Sequence, residues 1–544
     1  MFVTTVRRRV AWCAAAAGLA LGVRPLHAES GIDAWLRYER LSDTAVTEKY
    51  GDVSGPVVAL EDSLIVRTAR DELLRGLTSM LGRRPTPASG RSTGRFTDAR
   101  IVLGTADRVR RALPRVEVPE LARPDGFWLA SARAGRRRVI IVAGRGERGV
   151  LYGAFALLRH IALGEPVEGL DERQEPGAPV RWTNEWNNLD GSIERGYAGR
   201  SIFFVQGRVA GDMTRAGLYA RLLASIGVNG CVVNNVNADA RAITPEFIRQ
   251  LARLADVFRP WGVALALAID FSSPMTIGRL DTFDPLDPRV AAFWRARVDD
   301  VYRAIPDFGG FVLKADSEGR LGPSAYGRTH ADAANVIARA LAQHGGVLFY
   351  RGFVYNHLMD WRDVKNDRAR AAVDNFSALD GTFEPNVILQ IKNGPIDFQV
   401  REPASPLFGT LRHTNQAIEL QITQEYLGQQ RHVCFLVPMW KEVLDFDLQA
   451  GGAGTPVKAI ASGRAFDRPL GGFVGVSNVG RAANWLGHDL AMANLYGFGR
   501  LAWAADTPSE RIADEWTTLT FGRDRRVVDA IDRILLSSWR TYER

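Results

Sequence analysis

From residue 180 onward, short apolar runs alternate with segments of helical period. The runs at 180–189, 230–235, 263–269, 310–314, 347–354, 387–392, 418–422 and 475–478 carry mostly consecutive apolar residues, as strands buried on both faces do. Amphipathic segments separate several of them, at 289–304, 331–342 and 368–376. Eight such runs in roughly 300 residues predict a parallel (β/α)8 TIM barrel over 176–486. A doubly wound open sheet is the alternative, and no Gly-rich phosphate loop follows the first strand to support it.

Ahead of the barrel, residues 29–175 read as a smaller α/β domain. Asp71-Glu72-Leu73-Leu74-Arg75 has helical period, and strand-like runs lie at 100–103 and 138–142. The basic, turn-rich stretch at 83–95 reads as a loop, and the segment from Gly146 leads into a helix ending near His160. The Pro/Glu-rich stretch at 164–179 reads as a connector. After 487 the pattern is helical, at 489–501, 509–520 and 524–536, and 487–544 reads as a partial C-terminal helical region.

The first 28 residues change the picture of location. Arg7-Arg8-Arg9, an apolar stretch at 10–23 and Leu26-His27-Ala28 have the form of a secretory signal, with no acid before Glu29. The triple arginine loosely suits a twin-arginine route. The expectation is an exported protein, periplasmic or extracellular, with no membrane span after cleavage. Cleavage removes Arg7, Arg8, Arg9 and Arg24, so the net charge falls from +8 to +4. That excess is too small to argue for nucleic acid, and no basic block interleaved with aromatics appears. The chain of 544 residues, 46% hydrophobic and 24% charged, has material for more than one core. Cys13 leaves with the signal; Cys231 and Cys434 lie in apolar runs and read as buried free thiols. No CxxC or HExxH spacing supports a metal, and no cofactor is expected.

Candidate chemistry gathers where strands end. Lys314-Ala315-Asp316-Ser317-Glu318, Asn393-Gly394-Pro395-Ile396-Asp397 and Gln421-Ile422-Thr423-Gln424-Glu425 each close an apolar run on a carboxylate. Barrels carry their catalytic groups at those ends, and carboxylate pairs break glycosidic bonds. Glu318 is the candidate general acid, with Asp316 expected to supply a neighbouring charge that keeps it protonated. Asp397 and Glu425 can hold an attacking water between them, and Glu402 is a rival base whose structural alternative is pairing with an arginine. Lys314, Arg351 and Lys392 are cations in or at the end of apolar strands. Buried cations need partners, so internal ion pairs are the plain reading; converging on one mouth, they make a receptor for a carboxylate-bearing sugar. Trp186 and Trp440 are candidates for stacking on sugar rings, with core packing as the alternative.

At these residues the sequence resembles the α-glucuronidases of glycoside hydrolase family 67. The likeness is carried by Asn188-Leu189-Asp190-Gly191-Ser192-Ile193-Glu194-Arg195-Gly196-Tyr197-Ala198-Gly199, by the segment from Lys314 to Gly319, by Val387 to Pro395, by Asp397 to Pro403 and by Gln421 to Tyr426. The resemblance implies an exo-acting, inverting hydrolase. It would release glucuronic acid, or its 4-O-methyl ether, from an α-1,2 linkage to the terminal xylose of a xylo-oligosaccharide. By the same resemblance Glu318 is the general acid, Asp397 and Glu425 activate water, Lys314, Arg351 and Lys392 hold the uronic acid, and Trp186 walls the pocket. Homodimer formation through the helical domain is also implied. Two departures stand out. Asn187 replaces an aspartate of the family pattern Trp-Asp-Asn-Leu-Asp, and the family's C-terminal region continues where this sequence stops at Arg544, so a fragment or a truncated protein is expected. The competing readings are a barrel glycosidase of other, hexosaminidase-like specificity and a catalytically dead sugar-acid binding protein.

Overall fold

The computed structural model describes residues 31–41, 49–50, 53, 55–82, 84–89, 99–134, 137–354, 362 and 367–544. Residues 1–28, read above as a secretory signal, and part of the basic stretch at 83–95 lie outside the described residues.

A six-stranded sheet opens the chain: β1 (Val57–Ala59), β2 (Pro87–Ser89), β3 (Ile101–Thr105), β4 (Phe127–Ala134), β5 (Arg137–Gly144) and β6 (Asp171–Gln174), in the order β2-β1-β3-β5-β4-β6. The pairs β1/β2, β1/β3 and β3/β5 are parallel, whereas β4 runs antiparallel to both β5 and β6. Two expectations are corrected here. The stretch read as a loop at 83–95 contains β2, and the stretch read as a connector at 164–179 contains β6, an edge strand of the sheet. Helices Leu64–Leu81 and Glu147–Leu163 pack on this sheet and on each other. Ser63 caps the first by accepting from Val66 N at 3.3 Å, and Gly82, at φ 64°, ends it in the left-handed conformation that glycine adopts without steric cost.

After β7 (Val180–Asn184) and a short hairpin, β8 (Phe204–Val205) with β9 (Arg208–Val209), the barrel continues through β10 (Gly230–Val233), β11 (Ala264–Ile269), β12 (Gly310–Leu313), β13 (Val347–Arg351), β14 (Val387–Lys392), β15 (Asn415–Gln421) and β16 (Gly472–Val476). These strands close in the order β10-β11-β12-β13-β14-β15-β16-β7, every pair parallel. The barrel lumen is filled at its base by Val180, Trp182, Val232, Ala266, Val312, Phe349, Ile388, Ala417 and Val474. Trp182 takes so much of that space that a Cβ on Gly230 would sit 2.4 Å from its indole. The alternate residues, Cys231, Val233, Leu265, Leu313 and Leu389 among them, face outward into the larger core shared with the helices. Cys231 and Cys434 are both buried and unpaired, as expected.

The first unit is fastened to the barrel by buried charge. Arg221 on the helix Thr214–Ser225 grips Glu72 through Nη2 at 2.7 Å, and Tyr38 Oη donates to the same carboxylate at 2.7 Å. Arg181 of β7 donates to Asp125 at 2.6 Å and to the carbonyls of Gly227 and Ala178, with its guanidinium 5.3 Å from the Trp503 ring. Burial would raise the Asp125 carboxyl, but Arg181 and Arg148 hold it below the usual carboxylate range. Helices Met492–Trp503, Ser509–Phe521 and Arg525–Glu543 complete the described chain. Its fold is therefore a central TIM barrel, preceded by a smaller α/β unit and followed by helices.

Candidate active site

The side-chain period of two that fills the lumen with apolar groups carries on to the C-terminal ends of the strands, where the inward residues become charged. Val312 is followed by Lys314, Phe349 by Arg351, Ile388 by Gln390 and Lys392, and Ala417 by Glu419 and Gln421. Strand register then puts partners side by side: Arg351 lies opposite Gln390, and Lys392 opposite Glu419. Arg351 donates to Glu419 through Nη2 at 2.6 Å and Nε at 3.0 Å, and Gln390 donates to the same carboxylate at 2.7 Å. Both members of the pair are buried, Arg351 at 3% exposure and Glu419 at 0%. The Arg351 guanidinium lies 5.4 Å from the Trp186 ring, a cation–π contact that fixes that indole at the mouth.

Lys314 forms an ion pair with Glu318 and donates to Asn237 Oδ1 at 2.9 Å. Lys392 pairs with Asp397 and lies 3.3 Å from the Phe353 ring centroid. Asp397 also accepts from Arg368 at 3.1 Å and from Tyr426 Oη at 3.3 Å. Glu425 pairs with Arg195 and accepts from Gln421 at 2.9 Å. All seven residues expected at the site therefore stand at or near one end of the barrel. The plain reading of the cations is met, because each has a carboxylate partner, and all three share the mouth.

Burial alone would raise Glu318, but Lys314, then Lys392 and Arg351, hold its carboxyl below the ordinary glutamate value. Burial is likewise outweighed at Asp397, where Lys392, Arg368 and Arg351 keep the carboxyl low. Lys392 is pushed down to about 8 by burial and by Arg351, against the pull of Asp397. These shared influences tie Glu318 and Asp397 to the same two cations, Lys392 and Arg351.

Three expectations are corrected. Asp316 does not act on Glu318: its carboxylate accepts from Ser324 N at 3.0 Å and from the Ser324 hydroxyl, which turns it back into its own loop. Glu402 is neither a base nor an arginine partner. It accepts from the backbone N–H groups of Ile396, Asp397 and Gln399 at 2.6, 2.9 and 2.7 Å, so it shapes the loop that presents Asp397. Trp440 is wholly buried on the helix Val437–Asp445 and belongs to the core.

Glu194 and Glu419 were not singled out from the sequence. Glu194 accepts from Asn235 at 2.7 Å and from Asn237 at 3.1 Å, and adds its charge to the surroundings of Lys314. Glu419 had a signal: a carboxylate inside the apolar run Ala417-Ile418-Glu419-Leu420 is the partner that a buried Arg351 demands. Several buried polar atoms next to these residues have no partner among the described residues, among them Trp186 Nε1, the Asn187 amide, Gln390 Oε1 and Asn393 Oδ1. Buried polar atoms usually find a partner, and a hydroxyl-rich ligand supplies them. Among the described residues, no group of His, Cys, Asp and Glu is placed to hold a metal ion.

The loops bearing Asp397 and Glu425 are held from outside the barrel. Trp539, on the helix Arg525–Glu543, donates through Nε1 to Val400 O at 2.9 Å, and Glu543 pairs with Arg401 at 3.0 Å. Ser538 Oγ accepts from Phe435 N at 2.8 Å, and Tyr542 packs against Gly428.

Comparison with known proteins is consistent along the chain. Residues 34–157 match the family described as Glycosyl hydrolase family 67 N-terminus, 160–485 its middle domain and 486–544 its C-terminus. The chain belongs to glycosyl hydrolase family 67. This family 67 chain is 49% identical over 519 residues to a probable alpha-glucuronidase A of Neosartorya fischeri, covering 95% of this chain and 60% of that protein. It is 47% identical over 533 residues to alpha-glucuronidase A of Emericella nidulans, covering 96% and 62%. The chain thus spans about 60% of the length of the curated relatives it matches. Among solved structures it is similar to a family GH115 4-O-methyl-α-glucuronidase with specificity for decorated arabinogalactans (TM-score 0.55, 14% identity, 90% of this chain and 62% of that one). It is also similar to a GH138 enzyme targeting pectin rhamnogalacturonan II (TM-score 0.54, 13% identity, 90% and 55%). At such identities the likeness is one of fold.

Proposed function

We propose that this family 67 chain is an exported α-glucuronidase. It hydrolyses the α-1,2 bond between glucuronic acid, or its 4-O-methyl ether, and the terminal xylose of xylo-oligosaccharides, acting from the chain end and with inversion. The observation that carries the reading is the meeting of Lys314, Arg351 and Lys392 with Glu318 and Asp397 at one barrel mouth, beside Glu425. A neutral sugar gives no reason to gather those cations; a uronate does. The curated relatives bear the name alpha-glucuronidase, which supports the same substrate class.

In this reading the cations orient the uronate, with Arg351 offering a planar fork and the two lysines point charges. Glu318 protonates the glycosidic oxygen as the bond to the anomeric carbon breaks. Asp397 and Glu425 orient a water on the opposite face of the sugar and take its proton as it attacks. Trp186, fixed by Arg351, provides a flat wall for the ring.

Proton NMR of an aldouronic acid undergoing hydrolysis tests both substrate and stereochemistry. The β-anomer of glucuronic acid is expected first, with the α-anomer growing in only by mutarotation. An α-anomer at the earliest times would overturn the water activation proposed for Asp397 and Glu425. Release of no glucuronic acid would overturn the substrate assignment.

A further inference from the structure

We propose that Glu318 receives its catalytic proton from solvent as the substrate binds, because the uronate carboxylate takes Lys314 away from it. The inference rests on the uronidase reading above and adds a step to it.

Among the described residues, the charged groups named at the mouth are already paired without substrate. Lys314 is paired with Glu318, Lys392 with Asp397, Arg351 with Glu419 and Arg195 with Glu425. Arg368 is a second partner of Asp397, and Glu194 adds a carboxylate near Lys314. An anionic sugar therefore brings a negative charge with no spare cation among these pairs to meet it. Either a pair must open or a carboxylate must take up a proton, and opening the right pair makes both happen at once.

The pairs differ in how easily they open. Arg351 and Glu419 are locked by two hydrogen bonds between buried side chains, with Gln390 holding the carboxylate from a third direction. Lys392 is braced between Asp397 and the rings of Phe353 and Phe398. Of the four paired carboxylates Glu318 is the most exposed: its side chain is 40% exposed, against 16% for Asp397, 10% for Glu425 and 0% for Glu419, on a loop that turns through two left-handed residues, Glu318 at φ 52° and Gly319 at φ 77°. Lys314, by contrast, is 2% exposed and anchored from its other side by Asn237. When a uronate arrives, Lys314 stays and Glu318 yields.

Every group acting on Glu318 then changes in the same sense. Lys314, from the end of β12, is occupied by the incoming carboxylate. Lys392 of β14 and Arg351 of β13, the other cations that favour its anion, face a new negative charge. Asp316, on its own loop, stays turned to Ser324. Burial, which opposed ionisation all along, is left to decide, and the carboxyl takes up a proton. A neutral sugar of the same shape leaves the Lys314–Glu318 pair intact and the acid unprotonated, so it is rejected at bond cleavage as well as at binding.

Calorimetric titration of the full chain with D-glucuronate tests this, at about pH 5 in two buffers of different ionisation enthalpy. Wild type is expected to take up about one proton per glucuronate bound at this pH, well below the range in which Lys392 titrates. Glu318→Gln, which removes the proton's destination, is expected to bind glucuronate with almost no uptake. Wild-type binding without proton uptake, or equal uptake by the Gln variant, overturns the proposal and leaves the uronidase reading standing. Failure of folded wild type to bind glucuronate at all overturns that reading, and the inference falls with it.

Discussion

Replacing Glu318 by Gln lowers turnover of an aldouronic acid by about 10²–10⁴-fold, the range for loss of a positioned general acid. In the proposed reaction the xylose leaving group departs as an alkoxide unless it is protonated as the bond breaks, and Glu318 is the group assigned to that protonation. An aryl glucuronide whose phenolate leaves without a proton should lose far less in the same variant. The contrast between the two substrates separates an acid from a binding residue. Equal losses on both would assign Glu318 to substrate positioning and reject the acid role. The substitution keeps the side chain's shape at a partly exposed position, and Gln can still accept a hydrogen bond from Lys314.

Replacing Arg351 by Met is expected to cost about 3–5 kcal/mol of stability, the loss seen when one member of a buried ion pair is removed. Glu419, wholly buried, would retain only Gln390 as a donor, and Trp186 would lose the cation beside its ring. The double variant Arg351→Met, Glu419→Gln is expected to recover most of that stability, since no uncompensated charge remains. Glucuronate binding should stay weak in both, because one of the three cations proposed to face the sugar's negative charge is gone. Urea unfolding and glucuronate titration of the two variants check this. Wild-type affinity in the double variant would make Arg351 a purely structural residue.

Much of the barrel was legible because buried parallel strands leave continuous apolar runs. The errors have physical causes. Six runs were read too long at their C-terminal ends; at two of them Trp186 and Leu189, or Phe353 and Val354, remain apolar after the chain has left the ladder. β15 was read too short because it begins with Asn415 and Gln416, polar residues whose amides are satisfied by the carbonyls of Pro385, Val387 and Leu411. β6, Asp-Glu-Arg-Gln, has no apolar residue and is held by backbone pairing with β4 and by polar contacts, Trp128 Nε1 donating to Asp171 at 2.7 Å and His160 pairing with Glu172. At the site, the carboxylates were found because they follow strands. Which neighbour each one faces was not legible. Asp316, at φ 50°, and Glu318, at φ 52°, reverse the chain within three residues, so one turns to Ser324 and the other to Lys314. Glu402 illustrates the same limit, since its three partners are main-chain amides that any sequence would offer.

The helix Arg525–Glu543 gives no atom to the chemistry, yet through Trp539, Glu543 and Ser538 it moors the loops that follow β14 and β15. In the proposed reaction, placement of Asp397 and Glu425 thus depends on an element outside the ring of barrel strands. On warming, hydrolysis should fade before circular dichroism records melting of the sheet, as the mooring slackens first. Robustness of catalysis in this molecule is a property of its periphery.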